Sequence, residues 1–209
     1  MDEPKPYYQD ERTTIYHGDC LEVLPHLGRF DLLLTDPPYG IGYAGSMKLG
    51  QKHFGWKQYE GGWDESRPSD ELIKMSVSSA ITAMVWGGNF FNVLDTSPGW
   101  LVWNKVQRNF SMGEAELCWT NLLNSIRVFD MARGACLADG KQHPTQKPTA
   151  LIQWCLGFAP DAETVLDPFM GSGTTLVAAK LEGRKAVGIE ISEKYCEIAA
   201  TRLAQGVLF

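Results

Sequence analysis

Cysteine and histidine are scarce in this chain of 209 residues. The five cysteines, Cys20, Cys118, Cys136, Cys155 and Cys196, lie far apart, and none belongs to a Cys-x-x-Cys pair. Neither a disulfide framework nor a metal site is therefore indicated, because both need cysteines or histidines at close spacing. We expect the cysteines to be buried apolar residues in a reducing compartment.

Long apolar runs are also missing. No stretch approaches the roughly 20 apolar residues that a membrane-spanning helix needs. Residues 1–6 carry charges and two prolines, unlike the apolar core of a signal peptide. We therefore expect a soluble, cytoplasmic protein. The hydrophobic content of 44% is enough for a full core, and residues 1–209 are expected to form one domain.

The excess positive charge of many nucleic-acid-binding proteins is absent as well, since the net charge is -6. The distribution of this charge is uneven. Residues 37–69 and 104–148 are mildly basic, whereas the rest of the chain is acidic. A polyanion is therefore expected to dock weakly, and against these two segments.

Apolar runs and helical patterns alternate along the chain, which predicts an α/β fold with a doubly wound, mainly parallel sheet. The predicted strands are 13–18, 30–35, 81–86, 100–104, 115–120, 164–166 and 185–190. The predicted helices are 20–27, 70–80, 149–158, 173–181 and 192–203, the last with Ser192 as its N-cap. Two stretches, 40–69 and 121–142, fit neither pattern.

The stretch from Gly40 to Ser69 is rich in glycine, aromatic residues and cations, among them Lys48, Lys52 and Trp56. Aromatic rings interleaved with positive charge are typical of surfaces that stack bases and follow a phosphate backbone. The alternative is a lid whose aromatic rings pack down on the domain, because loops of this length commonly serve as lids.

A glycine-rich turn follows one predicted strand and opens the next helix. This turn, Asp167-Pro168-Phe169-Met170-Gly171-Ser172-Gly173-Thr174-Thr175, lets backbone and ligand approach closely at its glycines. Glu190 ends the following strand, nineteen residues after Gly171, where an acid can accept hydrogen bonds from both hydroxyl groups of a ribose. The combination favours a ligand site over a purely structural turn.

The tetrapeptide Asp36-Pro37-Pro38-Tyr39 follows the apolar strand 30–35. It is therefore expected at the C-terminal end of a strand, where open sheets of this kind bind ligands. Such a tetrapeptide can also be a simple turn. The presence of the glycine-rich turn in the same chain favours a catalytic role. The two prolines would also fix the backbone beside an acid.

These two motifs, with His143-Pro144-Thr145-Gln146-Lys147-Pro148 between them, resemble those of the beta-type DNA amino-methyltransferases, in which the catalytic tetrapeptide precedes the cofactor loop. The resemblance covers about residues 13–205. It implies a Rossmann-like, doubly wound methyltransferase fold, circularly permuted, whose mostly parallel sheet has one antiparallel strand. It also implies a catalytic region at about 13–120, target-recognition segments at about 40–69 and 121–142, and a cofactor region at about 143–205.

The cofactor implied by the resemblance is S-adenosyl-L-methionine. The loop from Phe169 to Thr175 would hold its methionine portion, Glu190 its ribose and Asp19 its adenine edge. Asp19 has an alternative role as a helix N-cap. The full set of implied cofactor residues is Asp19, Cys20, Asp36, Lys147, Asp167, Phe169, Gly171, Ser172, Gly173, Thr174, Thr175, Glu190 and Ile191.

The implied catalytic residues are Asp36, Pro37, Pro38 and Tyr39, and the implied substrate is DNA. An exocyclic amine is a poor nucleophile because its lone pair is delocalised into the ring. If Asp36 and the Pro37 carbonyl accept its two N–H bonds, the nitrogen can pyramidalise and attack a methyl group directly. Tyr39 is expected to stack on the base, which must leave the duplex to reach the site.

Adenine N6 is the favoured target, because Asp at the first position of the tetrapeptide is commoner in the adenine enzymes of the family. Cytosine N4 stays an alternative, and so does a non-catalytic nucleic-acid-binding module that retains the fold. RNA and protein-glutamine methyltransferases are disfavoured, because their cofactor loop normally comes first. The family further suggests a homodimer and a partner restriction endonuclease, in a bacterium or in the cytoplasm of a virus-infected host.

The segment from Asn121 to Gln142 is too short for a recognition domain with its own core. Few side chains are then left to read DNA, and a recognition site of two to four base pairs, or nearly relaxed specificity, is expected. The expected DNA contacts are Tyr39, Lys48, Lys52, Trp56, Arg108, Arg127 and Arg133, with Lys141 and Gln142 as further candidates.

Overall fold

The computed structural model describes residues 3–40, 67–108, 113–132 and 146–205. Several sequence predictions lie outside these ranges: Lys48, Lys52, Trp56, Arg133, Lys141, Gln142 and the first three residues of the segment 143–148. The strands are β1 Tyr8–Gln9, β2 Thr13–His17, β3 Phe30–Thr35, β4 Ala80–Trp86, β5 Trp100–Asn104, β6 Ala115–Thr120, β7 Ile126–Asp130, β8 Thr164–Asp167 and β9 Lys185–Glu190. The helices are α1 Cys20–Val23, α2 Asp70–Ser78, α3 Thr149–Leu156, α4 Thr174–Leu181 and α5 Glu193–Ala204.

The strands form one sheet in the order β1-β2-β9-β8-β3-β4-β6-β5-β7. Strands β2, β9, β8, β3 and β4 run parallel to one another. Strand β6 is antiparallel to both of its neighbours, and β7 is parallel to β5. The predicted mostly parallel, doubly wound sheet is confirmed. The short β1 adds a second antiparallel strand at the edge.

Helices cover both faces of the sheet, and β3 shows how its sequence permits this. Leu32, Leu33 and Leu34 are all fully buried. Leu32 and Leu34 belong to the core shared with α3, α4 and α5, whereas Leu33 faces the core shared with α1 and α2. A continuous apolar run is what a parallel strand with both faces covered requires.

Three local predictions need correction. The predicted helix 20–27 ends as an α-helix at Val23 and continues as a 3-10 helix, Leu24–His26, because Pro25 has no N–H for the α-helical ladder. Ser192 lies at the N-cap position of α5, but its side chain makes no cap hydrogen bond. The stretch 121–142 contains β7, in which Ile126 and Val128 are more than half exposed and whose one partner among the described strands is β5.

Within the described ranges, no helix combines the length and the apolar character that crossing a bilayer requires.

Candidate active site

The C-terminal ends of β3 and β8 lie side by side in the sheet, which brings the tetrapeptide and the glycine-rich turn together. A cavity of about 320 Å³ lies over these ends. Of the cofactor residues expected from the sequence, all except Gly173 line it: Asp19, Cys20, Asp36, Lys147, Asp167, Phe169, Gly171, Ser172, Thr174, Thr175, Glu190 and Ile191. Their individual roles toward a ligand stay predictions.

The glycine-rich turn is held against the end of β9. The Gly171 N–H donates to Oε2 of Glu190 over 3.0 Å, and the Ser192 N–H donates to Oε1 over 2.9 Å. Gly173 has a φ of 78° and packs closely on α5, where an added Cβ would lie 2.8 Å from the Cβ of Ala199. A side chain at Gly173 is therefore excluded by both backbone conformation and space.

Arg202 also fixes this turn, although the sequence analysis did not single it out. Its guanidinium donates to the Ser172 carbonyl over 2.5 Å and lies 3.3 Å from the hydroxyl oxygens of Ser172 and Thr174. Because Arg202 is in the last turn of α5, a sequence reading gives it only the ordinary role of a cation at a helix C-terminus. No local signal points to a contact thirty residues away.

Asp19 and Cys20 border the cavity from the start of α1. The Asp19 carboxylate accepts a hydrogen bond from the Leu21 N–H over 2.8 Å, so its alternative role as an N-cap is confirmed. Its predicted contact with an adenine edge is neither supported nor opposed by this cap. The Cys20 thiol donates to the Pro168 carbonyl over 2.7 Å, and burial raises its pKa to about 12, which keeps it neutral.

The cavity wall carries more carboxylates than cations. Among its described lining residues, Asp19, Asp36, Asp167 and Glu190 are acids, whereas Arg67 and Lys147 are bases. Burial raises the pKa of Asp167 to about 6, although hydrogen bonds from Thr175, Thr35 and the Phe169 N–H oppose the shift. Such a wall suits a cationic ligand, and S-adenosylmethionine carries a sulfonium and an ammonium group.

A buried donor in the same wall also fits a polar ligand. The Trp86 indole Nε1 is buried and finds no hydrogen-bond partner within the described part of the chain. Trp86 lines the cavity beside Asp36. Buried donors without a partner are rare because losing water costs free energy. The residues present therefore fit the cofactor that the sequence implies.

Both carboxylate oxygens of Asp36 have partners inside the protein. Oδ1 accepts from the Tyr39 hydroxyl over 2.5 Å, and Oδ2 accepts from the Lys147 ammonium over 2.5 Å. The neighbouring Pro37 is buried, and none of the described residues donates a hydrogen bond to its carbonyl oxygen. An acid and a free backbone acceptor thus lie next to each other at the end of β3.

Lys147 lies at the centre of a chain of alternating charges that the sequence analysis did not anticipate. Its ammonium is 2.5 Å from Asp36 Oδ2 and 3.0 Å from Glu116 Oε2, and Lys105 is 2.6 Å from Glu116 Oε1. The side chains of Lys147 and Lys105 are only 5% and 4% exposed. The sequence did contain one signal, because Lys105 and Glu116 each place a charge in or next to an apolar segment. The pairing of β5 with β6 brings these two charges together.

The direction of the pKa shift differs among the charged residues of this chain. Burial favours a lower pKa for Lys147, but Asp36 and Glu116 raise it well above its ordinary value. Burial raises the pKa of Glu116, yet Lys147 and Lys105 bring it down to about 2. For Asp36, burial outweighs the opposing effect of Lys147 and raises the pKa.

Tyr39 packs against the segment that follows β4. Its ring stacks on Phe90, with centroids 4.9 Å apart and an interplanar angle of 17°. Gly87 also lies against this ring; it adopts a φ of 67°, and an added Cβ there would lie 2.0 Å from the Tyr39 ring. Glycine at position 87 is thus required for this position of Tyr39.

Two further residues expected to contact DNA lie away from the cavity lining. Arg108 is exposed and pairs with Glu114 over 3.1 Å. Arg127 is exposed on the edge strand β7. Their contacts with DNA stay predictions.

Several known proteins are similar to this chain in sequence. The family model for N6- and N4-specific DNA methylases, described as DNA methylase, matches residues 100–201. The type II methyltransferase M.ScaI of Streptomyces caespitosus is 27% identical over 95% of this chain and 84% of its own length.

Two solved structures share the fold. The M1.HpyAVI complex with SAM has a TM-score of 0.57 and 21% identity, and the match covers 91% of this chain and 99% of that one. The PvuII DNA methyltransferase, described as cytosine-N4-specific, has a TM-score of 0.63 and 16% identity over 95% of this chain and 89% of its own. In sequence and in fold, the chain is therefore similar to the S-adenosylmethionine-dependent DNA methyltransferases of the N6-adenine and N4-cytosine family.

Proposed function

We propose that this protein methylates the exocyclic N6 amine of adenine in DNA. The observation that carries the proposal is that Asp36 lines the cavity and is followed directly by Pro37, whose carbonyl oxygen accepts no hydrogen bond from the described residues. Two acceptors on adjacent residues match the two N–H bonds of one amino group. The prolines at positions 37 and 38 hold these acceptors in place before substrate arrives, which lowers the barrier without further reorganisation.

The chain's own residues account for activation of the amine. When bound, the cofactor would supply an electrophilic methyl group, whose bond to the sulfonium sulfur breaks in the transfer and leaves its electron pair on that sulfur. Asp36 and the Pro37 carbonyl accept the amine hydrogens, so the nitrogen pyramidalises and its lone pair becomes available for a direct attack. As the new nitrogen–carbon bond forms, the nitrogen gives up one proton, which the Asp36 carboxylate is placed to accept. No covalent enzyme intermediate is needed.

Extrusion of the target base from the duplex belongs to the same proposal. The Asp36 side chain is only 28% exposed, and a base that stays stacked in a duplex has no route to such a group. The aromatic pair Tyr39 and Phe90 lies next to the carboxylate and offers the stacking surface that an extruded base needs.

Cytosine N4 is the second candidate target. The same two acceptors suit its exocyclic amine, and the likeness in fold to a cytosine-N4-specific enzyme favours keeping it. Aspartate at position 36 supports adenine, because serine is commoner there in the cytosine enzymes of the family. A homodimer, a partner restriction endonuclease and a cytoplasmic location stay predictions.

The test is to identify the methylated nucleoside. Purified protein is incubated with unmethylated DNA and a cofactor whose methyl group carries deuterium, and the digested DNA is analysed by mass spectrometry. Deuterated N6-methyladenine is the expected product. N4-methylcytosine would move the target to cytosine. Absence of both, with cofactor binding intact by calorimetry, would indicate a non-catalytic module.

A further inference from the structure

Four side chains from three parts of the sheet converge on the Lys147 ammonium. Asp36 follows β3, Glu116 lies in β6, and Trp86 at the end of β4 presents its ring face 5.2 Å from Nζ. The Tyr39 hydroxyl is 3.5 Å away. A lysine that is 5% exposed and fixed from four sides has little freedom, so the position of its charge is set by the fold.

This fixed charge bears directly on Asp36. A carboxyl group is the stronger acceptor of an amine N–H, and can take up a proton, when it is ionised, and burial works against ionisation. The Lys147 ammonium at 2.5 Å offsets part of that cost. If Asp36 were the ammonium's sole acidic partner, however, the strong ion pair would weaken the carboxylate as an acceptor for the target amine. Glu116 takes a second hydrogen of the same ammonium over 3.0 Å and so divides its charge between two acids.

We propose that Lys147 is a positioning residue for methyl transfer. It holds Asp36 through Oδ2, which leaves Oδ1 as the oxygen that meets the target amine. Lys147 favours the ionised form of Asp36, and Glu116 shares the ammonium, so that Asp36 stays available as an acceptor. This inference rests on the proposed function and adds to it two residues, Lys147 and Glu116, that act on the reacting amine through Asp36.

Several titratable groups among the described residues face this pair, and Lys105 acts on it through Glu116. Asp36 interacts with Lys147, Glu116, Tyr39, Asp167 and the buried Cys118 thiol, and Lys147 interacts also with Cys155. Burial raises the pKa of both thiols far above neutral, so neither carries charge at working pH. Asp167, whose pKa burial raises to about 6, contributes equally to the wild type and to the variants. A difference between their acid sides at saturating cofactor should therefore report on Asp36 and on the charges of Lys147 and Glu116.

The experiment measures single-turnover methyl transfer by the full chain from pH 5 to pH 9. Lys147→Met keeps the length of the side chain and removes its charge, whereas Lys147→Arg keeps the charge. We expect Lys147→Met to shift the acid side of the pH–rate profile to higher pH by about one to three units. Its rate at pH 6 should then fall by about tenfold or more and recover as the pH rises. Lys147→Arg should stay close to the wild-type profile, and cofactor affinity should change by no more than about twofold in either variant.

Glu116→Gln is the complementary variant, and it tests the same proposal if Lys147→Met does not fold. Removing the second carboxylate leaves the ammonium to Asp36, so the acid side of the profile should move to lower pH. A purely structural role would lower the melting temperature and the rate at every pH without moving the profile.

Profiles that keep the wild-type acid side in both variants would overturn the proposal. So would a tenfold loss of cofactor affinity in Lys147→Met with an unmoved profile, because Lys147 would then be a cofactor residue. If Asp36→Ala retained normal turnover, the proposed function itself would fail. An inactive Asp36→Ala combined with unmoved profiles would refute this inference alone.

Discussion

The Tyr39 hydroxyl donates to Oδ1 of Asp36 over 2.5 Å, so the oxygen expected to meet the target amine already has a partner within the chain. Lys147 occupies the other oxygen. Each carboxylate oxygen can accept two hydrogen bonds, so an incoming amine competes with the tyrosine hydroxyl for Oδ1 or shares this oxygen with it. The Tyr39 ring lies close enough to the same carboxylate to be expected to stack on the base as well.

Replacement of Tyr39 separates these two roles. Tyr39→Phe keeps the ring and removes the competing hydroxyl, so we expect turnover at or above the wild-type level and an unchanged or lower KM for DNA. Tyr39→Ala removes the ring as well, and should weaken DNA binding by about 1 to 3 kcal/mol. Steady-state kinetics and DNA titration measure both. Loss of most activity in Tyr39→Phe would mean that the hydroxyl takes part in the chemistry.

Loss of the Glu190 carboxylate should weaken the cofactor complex. Glu190→Ala is expected to reduce S-adenosylmethionine binding by about 2 to 4 kcal/mol, because the ribose hydroxyls lose a charged acceptor and the Gly171 N–H loses its partner. Calorimetry measures the affinity. The matched control is Glu193→Gln, which removes a nearby acid that does not line the cavity. An unchanged dissociation constant for Glu190→Ala would mean that the ribose is held by other groups.

Cofactor affinity should depend on pH through Asp167. Burial raises the pKa of this carboxyl to about 6, so it is largely protonated at pH 5 and ionised at pH 7. A cationic cofactor favours the ionised form, and the complex should therefore release a proton as it forms near pH 6. We expect affinity to rise by about tenfold from pH 5 to pH 7 and to level off above.

Calorimetry over this pH range tests the Asp167 prediction, and Asp167→Asn serves as its control. The variant cannot ionise at this position and should lose most of the pH dependence. Equal affinity at pH 5 and pH 7 in the wild-type protein would show that Asp167 does not sense the cofactor charge.

Much of the fold follows from local sequence patterns. The strands 30–35, 100–104, 115–120 and 185–190 were predicted to the residue, since each is an apolar run bounded by polar or turn-forming residues. The arrangement of both motifs around one cavity was also predictable, because each follows a strand and ligands bind at strand C-termini in open sheets. Strand β7 escaped prediction because it is a short edge strand without a buried face to impose a pattern.

The charged partners of the site could not be predicted in the same way. Lys147 was assigned to the cofactor from its place in a motif, but its ammonium pairs with Asp36, 111 residues earlier. Glu116 joins them because β6 runs antiparallel beside β4. Such contacts depend on strand order, which local periodicity does not encode. Arg202 is a second case, since only the packing of α5 brings it to Ser172.

Target recognition should be relaxed or confined to a short site. Each good contact to a base edge contributes only about 1 to 3 kcal/mol of discrimination, and few of the chain's cations are candidates for such contacts. The test is to methylate DNA of random sequence and to map each modified base by long-read sequencing. Modification restricted to one six-base site would contradict this prediction and would point to a further recognition surface or a partner subunit.

The central claim is that Asp36 activates the target amine, and replacing it is the most direct test. Asp36→Ala removes both carboxylate oxygens, and Asp36→Asn keeps the shape while removing the charge. Asp161→Asn is a suitable control, because Asp161 is exposed and does not line the cavity.

The decisive measurement is the single-turnover rate of methyl transfer by Asp36→Ala, with cofactor affinity determined on the same sample. We predict a rate about a hundredfold or more below wild type and a cofactor dissociation constant that changes little, since Asp36 acts mainly on the transition state. Near-normal turnover in Asp36→Ala would contradict the account and remove this carboxylate from the mechanism.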